Sequence, residues 1–330
     1  MATRRKNRKK SKYSGRKYRR YRSGYWKRYK RQRKWRYVRC VLGLKRILTN
    51  RPDPYLIRAP NTAGRPPAQP KTILICLMVK QLFGLSYLDT ESFLLWICGE
   101  SKWLLGTVPD ANTMQEHASD IPIEYLQSML EETIRCMSEN NVTVIIDATG
   151  LSLNQYGRWM NARHAKRKFK KKFIKLHIGV DLNSGAILVG VCSKGWKHDH
   201  KFGIQLLRWL RSAFRKIGAK LDSTLQDSAY LSREMVEEVE KNDGTPYIRA
   251  KKNSTTRPRH STRWKYLIRF QKEQPDEFMK KYCYRVVIEG IISAFKRVFG
   301  SVLLSKKRHN QDLEVLCRLV LWNCMRLTVT

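Results

Sequence analysis

The chain has 330 residues, of which 42% are hydrophobic, so it has enough apolar side chains for one large domain or two smaller ones. Its 67 Lys and Arg residues against 27 Asp and Glu residues give a formal net charge of +40. Internal ion pairs cannot neutralise such an excess, which excludes an ordinary neutral surface and indicates a polyanionic partner, above all nucleic acid. Solubility is the alternative explanation, but so basic a chain would still bind nucleic acid non-specifically.

The cysteines and the apolar runs exclude further classes of protein. The eight cysteines are scattered, without a C-x-x-C pair, so we expect small buried side chains in a reducing compartment and no zinc site. The most apolar run, from Ile73 to Val79, is too short to cross a bilayer. No apolar segment typical of a secretory signal follows the basic N-terminus. The sequence therefore predicts a cytoplasmic, DNA-associated protein with no membrane partner.

Residues 1–38 form a basic arm in which Tyr and Trp recur among Lys and Arg, and the first acidic residue of the chain is Asp53. Lysine and arginine can neutralise phosphates while aromatic rings stack on bases or sugars. We expect this arm to bind DNA and to be disordered in the free protein. Its alternative role is that of a solvated tail alone.

Residues 39–140 carry helical patterns. Proline-rich loops separate a short amphipathic element from two apolar helices that meet near Gly84, and D-A-N-T from Asp110 to Thr113 resembles a helix N-cap. We expect a small all-helical N-terminal domain. Contact with DNA through a helix-turn-helix-like arrangement and helical packing without DNA contact both remain open.

From residue 141 the pattern indicates a mixed α/β fold. Three strands are predicted first: V-T-V-I-I-D, F-I-K-L-H-I-G-V-D-L and A-I-L-V-G-V-C-S, the last two joined by a hairpin turn from Asn183 to Gly185. A helix, a short strand in D-S-T-L-Q-D, a helix, the strand P-Y-I-R-A and a long helix from Tyr282 to Gly300 follow. This order predicts a mixed sheet with helices packed on it.

Three carboxylates fall where a ligand can reach them. Asp147 and Asp227 each end an apolar strand, and Glu289 lies on the long helix. With about 100° per residue, Glu289 shares one side of that helix with Tyr282, Arg285 and Lys296, opposite the apolar residues. Converging carboxylates repel one another unless cations are bound, and hard oxygen ligands suit Mg²⁺ or Mn²⁺. Taken singly, an Asp at a strand end is more often a turn or cap residue, and a Glu on a helix is usually only solvated.

The chain resembles the DDE transposases of prokaryotic insertion sequences, in the group typified by insertion sequences 4 and 5. The similarity rests on I-I-D-A-T-G, on Q-D-S-A-Y and on a Tyr–Arg–Glu–Lys signature in Y-C-Y-R-V-V-I-E-G-I-I-S-A-F-K. The residues concerned are Asp147, Asp227, Tyr282, Arg285, Glu289 and Lys296. G-R-P-P and P-D-A-N-T-M, with the helices after them, also look like this group. The similarity covers roughly residues 60–325 and leaves the basic arm outside.

The resemblance implies a ribonuclease-H-like catalytic domain at residues 141–330. It also implies that Asp147, Asp227 and Glu289 are catalytic and bind two Mg²⁺ or Mn²⁺ ions. The implied reaction is metal-dependent cleavage at transposon ends, followed by strand transfer of 3′-hydroxyl ends into target DNA. The partners would be double-stranded DNA and a second copy of the chain, as a homodimer that holds both ends in a synaptic complex.

Several basic and aromatic residues are expected to contact DNA. On the long helix these are Tyr282, Arg285 and Lys296. A basic run before the second strand adds Arg163, Lys166, Arg167, Lys168, Lys170, Lys171 and Lys172, for which surface solvation is the alternative.

Other interpretations of the chain remain open. In His198-Asp199-His200, we interpret Asp199 as a helix cap rather than the histidines as a metal site. Two alternatives to a transposase are a catalytically inactive or repurposed nucleic-acid-binding protein and a ribonuclease-H-like nuclease that does not transpose.

Overall fold

The computed structural model describes residues 30, 33–57, 67–100, 107–135, 141–153, 173–256 and 261–327. Residues 37–330 form one compact unit and residues 1–36 form another. Most of the predicted basic arm lies outside the described residues, and so does the basic run from Arg163 to Lys172.

The N-terminal part of the large unit is helical, as the sequence predicts. Its helices are α1 (Arg36–Thr49), α2 (Pro70–Phe83), α3 (Tyr87–Glu100), α4 (Ala111–His117) and α5 (Ile123–Ile134). Pro70 occupies the first turn of α2, and Gly84 ends that helix with a φ of +68°. The predicted cap at Asp110 is confirmed, because its carboxylate accepts a hydrogen bond of 2.9 Å from the backbone N–H of Thr113.

A six-stranded sheet forms the centre of the molecule. Its strands are β1 (Asn141–Leu153), β2 (Phe173–Asp181), β3 (Ile187–Lys194), β4 (Lys220–Gln226), β5 (Thr245–Ile248) and β6 (Val302–Leu303). The order is β3-β2-β1-β4-β5, with β6 also paired to β1. β1, β2 and β3 are antiparallel, whereas β4, β5 and β6 run parallel to their neighbours. The predicted hairpin is confirmed, and Gly185 gives its turn a φ of +67°. The predicted mixed α/β class is therefore confirmed.

Helices follow the third strand and alternate with the remaining ones. They are α6 (Asp199–Ile217), α7 (Arg233–Glu240), α8 (Thr262–Glu273), α9 (Pro275–Tyr282), α10 (Val287–Phe299) and α11 (Arg308–Leu327). The prediction of one long helix from Tyr282 to Gly300 is wrong, because residues Cys283–Val286 form a 3₁₀ turn between α9 and α10. The junction is rich in aromatic and β-branched side chains, which are poor helix formers, so a break there costs little.

The two faces of the sheet support two hydrophobic clusters. Val144 and Ile146 of β1 pack on the side of α6, α7 and α8, whereas Ile145 packs on the other side with α10 and α11. Residues of α1 and α2, such as Cys40 and Leu74, belong to this second cluster. The N-terminal helices therefore share a core with the sheet, and a separate helical domain at residues 39–140 stays a prediction.

None of the described helices is long and apolar enough by itself to cross a bilayer. Helices α2 and α3 reach the required length and composition only when they are counted together across a bend of 104°.

Candidate active site

Asp147 lies in β1, and Asp227 directly follows the end of the parallel strand β4. The residues just before them are paired across β1 and β4, so the two acids that follow lie side by side. Ile145 and Leu225, two positions earlier, both belong to the hydrophobic cluster that includes α10. Because side chains alternate along an extended chain, both carboxylates face the side of the sheet on which α10 packs.

β1 continues beyond Asp147, although the sequence predicts a strand that ends there. Its parallel pairing with β4 stops at Ile146, but its antiparallel pairing with β2 continues as far as Ser152. The continued pairing keeps the strand extended. Asp147 therefore lies within the sheet, and Asp227 follows the end of the neighbouring strand.

The carboxylate of Asp147 is partly buried and has two hydrogen-bond donors. Its Oδ1 accepts from the backbone N–H of Ala148 at 2.8 Å, and its Oδ2 accepts from Nη1 of Arg285 at 3.2 Å. Burial raises the pKa of Asp147, these two donors oppose the rise, and the nearby carboxylates of Asp227 and Glu289 add to it. Asp227 and Glu289 are thus each close enough to Asp147 to influence it electrostatically.

Arg285 connects Asp147 to Glu289. Its Nη2 donates to Oε1 of Glu289 at 3.3 Å, one helical turn further along the chain. The arginine lies in the 3₁₀ turn and is 21% exposed, whereas Glu289, in the first turn of α10, is 60% exposed. A single guanidinium therefore bridges two of the three predicted catalytic carboxylates.

Tyr282 lies apart from the polar side of α10, because it ends α9 on the far side of the 3₁₀ turn. It is only 8% exposed, and its ring stacks on Phe278 with the centroids 5.2 Å apart. Burial raises the pKa of the Tyr282 hydroxyl, and the neighbouring Arg285 opposes the rise. Tyr282 is thus placed to support Arg285, and its predicted contact with DNA stays a prediction.

A cleft of about 590 Å³ opens beside Asp147 and Glu289. Lys296 lines it, two turns along α10 from the glutamate, together with Ser293 and Arg297, which the sequence interpretation passed over. The spacing of four residues from Glu289 would have pointed to Ser293, since residues i and i+4 share a helix face. The cleft combines carboxylates with hydroxyl and cationic groups.

The donors fit a hard divalent cation by chemistry, since Asp147, Asp227 and Glu289 supply carboxylate oxygens. Within the described part of the chain, however, no three Asp, Glu, His or Cys side chains lie close enough together to hold a metal ion as they stand. Arg285 donates to one oxygen of Asp147 and to one oxygen of Glu289, both of which a cation held between the two carboxylates would use.

A comparison with protein families matches residues 139–324 to the family described as "Transposase DDE domain". The matched span begins just before β1, ends within α11 and contains Asp147, Asp227 and Glu289. A comparison with curated proteins finds no matching relative. DDE transposases generally use divalent metal ions, which agrees with the chemistry of the carboxylates. Since the match covers more than half of the chain, the protein belongs to the DDE transposase family.

Proposed function

We propose that the protein is a DNA transposase of the insertion sequence 4/5 group, which cleaves DNA at transposon ends and transfers the resulting 3′-hydroxyl ends into target DNA. One observation carries the proposal. Asp147 lies in β1, Asp227 follows the adjacent strand β4 and Glu289 lies on α10, yet the charges of Asp227 and Glu289 both act on Asp147. Asp147 and Glu289 also line an open cleft. Basic residues of the same helix line that cleft, which suits a phosphodiester substrate.

The three carboxylates have the role of metal ligands in this proposal. Two Mg²⁺ or Mn²⁺ ions, when bound, would supply an activated water or 3′-hydroxyl and would stabilise the leaving oxygen. The chain's own contribution is to hold Asp147 and Asp227 at fixed positions of the sheet and to bring Glu289 to them on α10. Arg285 would release its carboxylates to the ions and turn to the scissile phosphate.

Binding and orientation of DNA fall to the basic groups around the carboxylates. Lys296 lines the cleft and would hold a phosphate next to the reacting bond, with Arg285 and Tyr282 on the other side of Glu289. The basic run from Arg163 to Lys172 and the basic arm would neutralise phosphates further away, as their composition predicts. A synaptic complex with two DNA ends would need two copies of the chain.

The strand order supports a ribonuclease-H-like catalytic domain at residues 141–330, because two parallel strands next to an antiparallel hairpin bring acids from β1 and β4 together. We retain residues 39–140 as the proposed helical N-terminal domain and residues 1–38 as the proposed DNA-binding arm.

Conservative substitutions of the three acids test the proposal. Asp147→Asn, Asp227→Asn and Glu289→Gln should each lower Mg²⁺-dependent cleavage by at least about 100-fold, because each removes a ligand charge. The substrates are duplexes that carry terminal repeats identified by sequencing the DNA on both sides of the reading frame. DNA affinity should change by no more than about twofold, since most affinity comes from phosphate contacts elsewhere. Asp222→Asn is the matched control, because Asp222 lies in β4 but bonds Thr143 and Lys281 outside the cleft.

The outcomes separate the proposed function from its alternatives. Normal cleavage by all three variants would refute the assignment of the acids. Cleavage by the unchanged protein without any joining of 3′ ends to target DNA would indicate a nuclease that does not transpose. DNA binding without cleavage in Mg²⁺ or Mn²⁺ would indicate a nucleic-acid-binding protein.

A further inference from the structure

A second cleft, of about 530 Å³, lies on the opposite face of the sheet from α10. Its lining comes from β2, from the loop between β3 and α6, from the first turn of α6 and from two loops that follow β4 and β5. The side chains of interest are Lys175, Trp196, Lys197, His198, His200 and Lys251. Three separate segments thus place cationic, imidazole and indole groups around one cleft, and a fourth adds Ala229.

Trp196 is 72% exposed and lies beside Lys197, whose Nζ is 4.5 Å from the centroid of the indole ring. A lone exposed tryptophan needs no explanation, but this one lies in a cleft among ammonium groups. An indole supported by a cation on one side offers its other side for stacking. Aromatic rings placed in this way among lysines form the usual platform for unpaired bases.

The charges in the cleft leave a positive excess. Nζ of Lys175 lies 2.7 Å from Oδ1 of Asp199, and these two side chains are 24% and 19% exposed. The prediction that Asp199 caps α6 is wrong, because His198 occupies the N-cap position and Asp199 lies in the first turn, where it pairs with Lys175. Lys197 and Lys251 remain as further cationic groups of the lining.

The position of the second cleft links it to the carboxylates. Ala229, two residues after Asp227, is part of its lining. Lys175 pairs with Gly150 of β1, three residues beyond Asp147, so the two clefts lie on opposite faces of the same part of the sheet. A DNA strand that leaves the region of Asp227 on the α6 side would enter the second cleft.

We propose that this second cleft binds an unpaired stretch of a DNA strand next to the reacting phosphate, with one base stacked on Trp196 and phosphates held by Lys197 and Lys251. The volume is in the range that holds a small ligand, so it suits one or two nucleotides and not a duplex. The proposal rests on the proposed function for the origin of the unpaired strand, but its binding chemistry is that of single-stranded nucleic acid in general.

The test compares single-stranded and duplex DNA of the same sequence, bound to the full chain in EDTA so that no cleavage occurs. The basic arm contributes to both affinities. The ratio of the two dissociation constants therefore reports the preference for single strands that the second cleft provides. Trp196→Ala should lower the preference for single strands by about tenfold, the usual effect of one lost base stack. Trp96→Ala is the matched control, because Trp96 is 66% exposed on α3 and should leave the ratio unchanged.

Two further measurements keep the proposal falsifiable if Trp196→Ala alters the fold. An oligonucleotide with 5-iododeoxyuridine at an unpaired position should crosslink on irradiation to the peptide that contains Trp196. Lys251→Gln should flatten the log–log salt slope of single-strand binding by about 0.7, whereas the adjacent Lys252→Gln should not. An unchanged ratio in Trp196→Ala, or crosslinks confined to other peptides, would overturn the proposal. Because these assays need no metal ion, their failure leaves the cleavage tests of the three acids unaffected.

Discussion

The bridge that Arg285 makes between Asp147 and Glu289 leads to a prediction about metal binding. Nη1 and Nη2 of the guanidinium lie 3.2 and 3.3 Å from the two carboxylates, so a divalent cation must displace them to reach the same oxygens. We expect Arg285→Ala to bind Mn²⁺ more tightly than the unchanged protein in the absence of DNA. The same variant should cleave DNA more slowly, because the proposed phosphate contact is lost.

The expected size of the effect follows from the exposure of the two ion pairs. Arg285 and Asp147 are 21% and 23% exposed, so their pair exceeds the value of a fully solvated one, and we assign it about 1 kcal/mol. Glu289 is 60% exposed, and solvent screening reduces its pair with Arg285 to a few tenths of that value. In the wild type, Mn²⁺ must break these two ion pairs and also meets the repulsion of the guanidinium. Removing both costs in Arg285→Ala corresponds to an increase in Mn²⁺ affinity of about 5- to 30-fold.

The assay is a titration of the DNA-free full chain with Mn²⁺, followed by the electron paramagnetic resonance signal of the free ion. Lys281→Ala is the matched control, because it also removes one cation from α9 and the adjoining turn, but its partner at 3.1 Å is Asp222, outside the cleft. The control should leave the affinity unchanged. Equal or weaker Mn²⁺ binding by Arg285→Ala would refute the idea that the arginine competes for the ligand oxygens.

Two other predictions concern stability. Burial lowers the pKa of His177 from 6.5 to about 4. Between these two pH values, the unfolded chain binds a proton at His177 and the folded protein does not. From pH 7 to pH 5, the free energy of unfolding should therefore fall by about 2 kcal/mol more in the unchanged protein than in His177→Gln. Urea unfolding at both pH values measures this, and an equal decrease in the two proteins would contradict the prediction. A methyl group at Gly190 would overlap Leu319, so Gly190→Ala should lower the free energy of unfolding by about 1–3 kcal/mol. Gly290→Ala, in α10 with open space around it, should instead raise it by about 0.5–1 kcal/mol, and the opposite order in thermal denaturation would show that local packing does not decide these sites.

The sequence was informative where the chemistry depends on local alternation. Asp147 and Asp227 each follow a buried apolar run, and period-two patterning was enough to predict the two strands that precede them, although β1 continues past Asp147. The buried side of α10 was also predicted correctly, because Ile288, Ile291 and Phe295 recur at helical spacing and all belong to the core.

Features that depend on distant contacts could not be predicted in this way. The bridge from Arg285 to Asp147 joins residues 138 positions apart, and no local pattern indicates it. The break between α9 and α10 changed the position of Tyr282, since a count of 100° per residue assumes an unbroken helix. The environment of Trp196 needs four segments to be brought together, so in the sequence it was only one aromatic residue among many.

The small strand β6 determines which parts of the candidate active site are able to move. Val302 and Leu303 pair with the last two residues of β1, and the buried Glu314 and Arg318 of α11 bond the backbone of the same segment. The segment that follows the C-terminal end of α10, the helix with Glu289, is thus hydrogen-bonded to β1, the strand with Asp147. A change in the distance between these two carboxylates must therefore come from rotation of their side chains or from movement of the 3₁₀ turn. A rigid-body rotation of α10 away from β1 would break the pairing of β6 with β1.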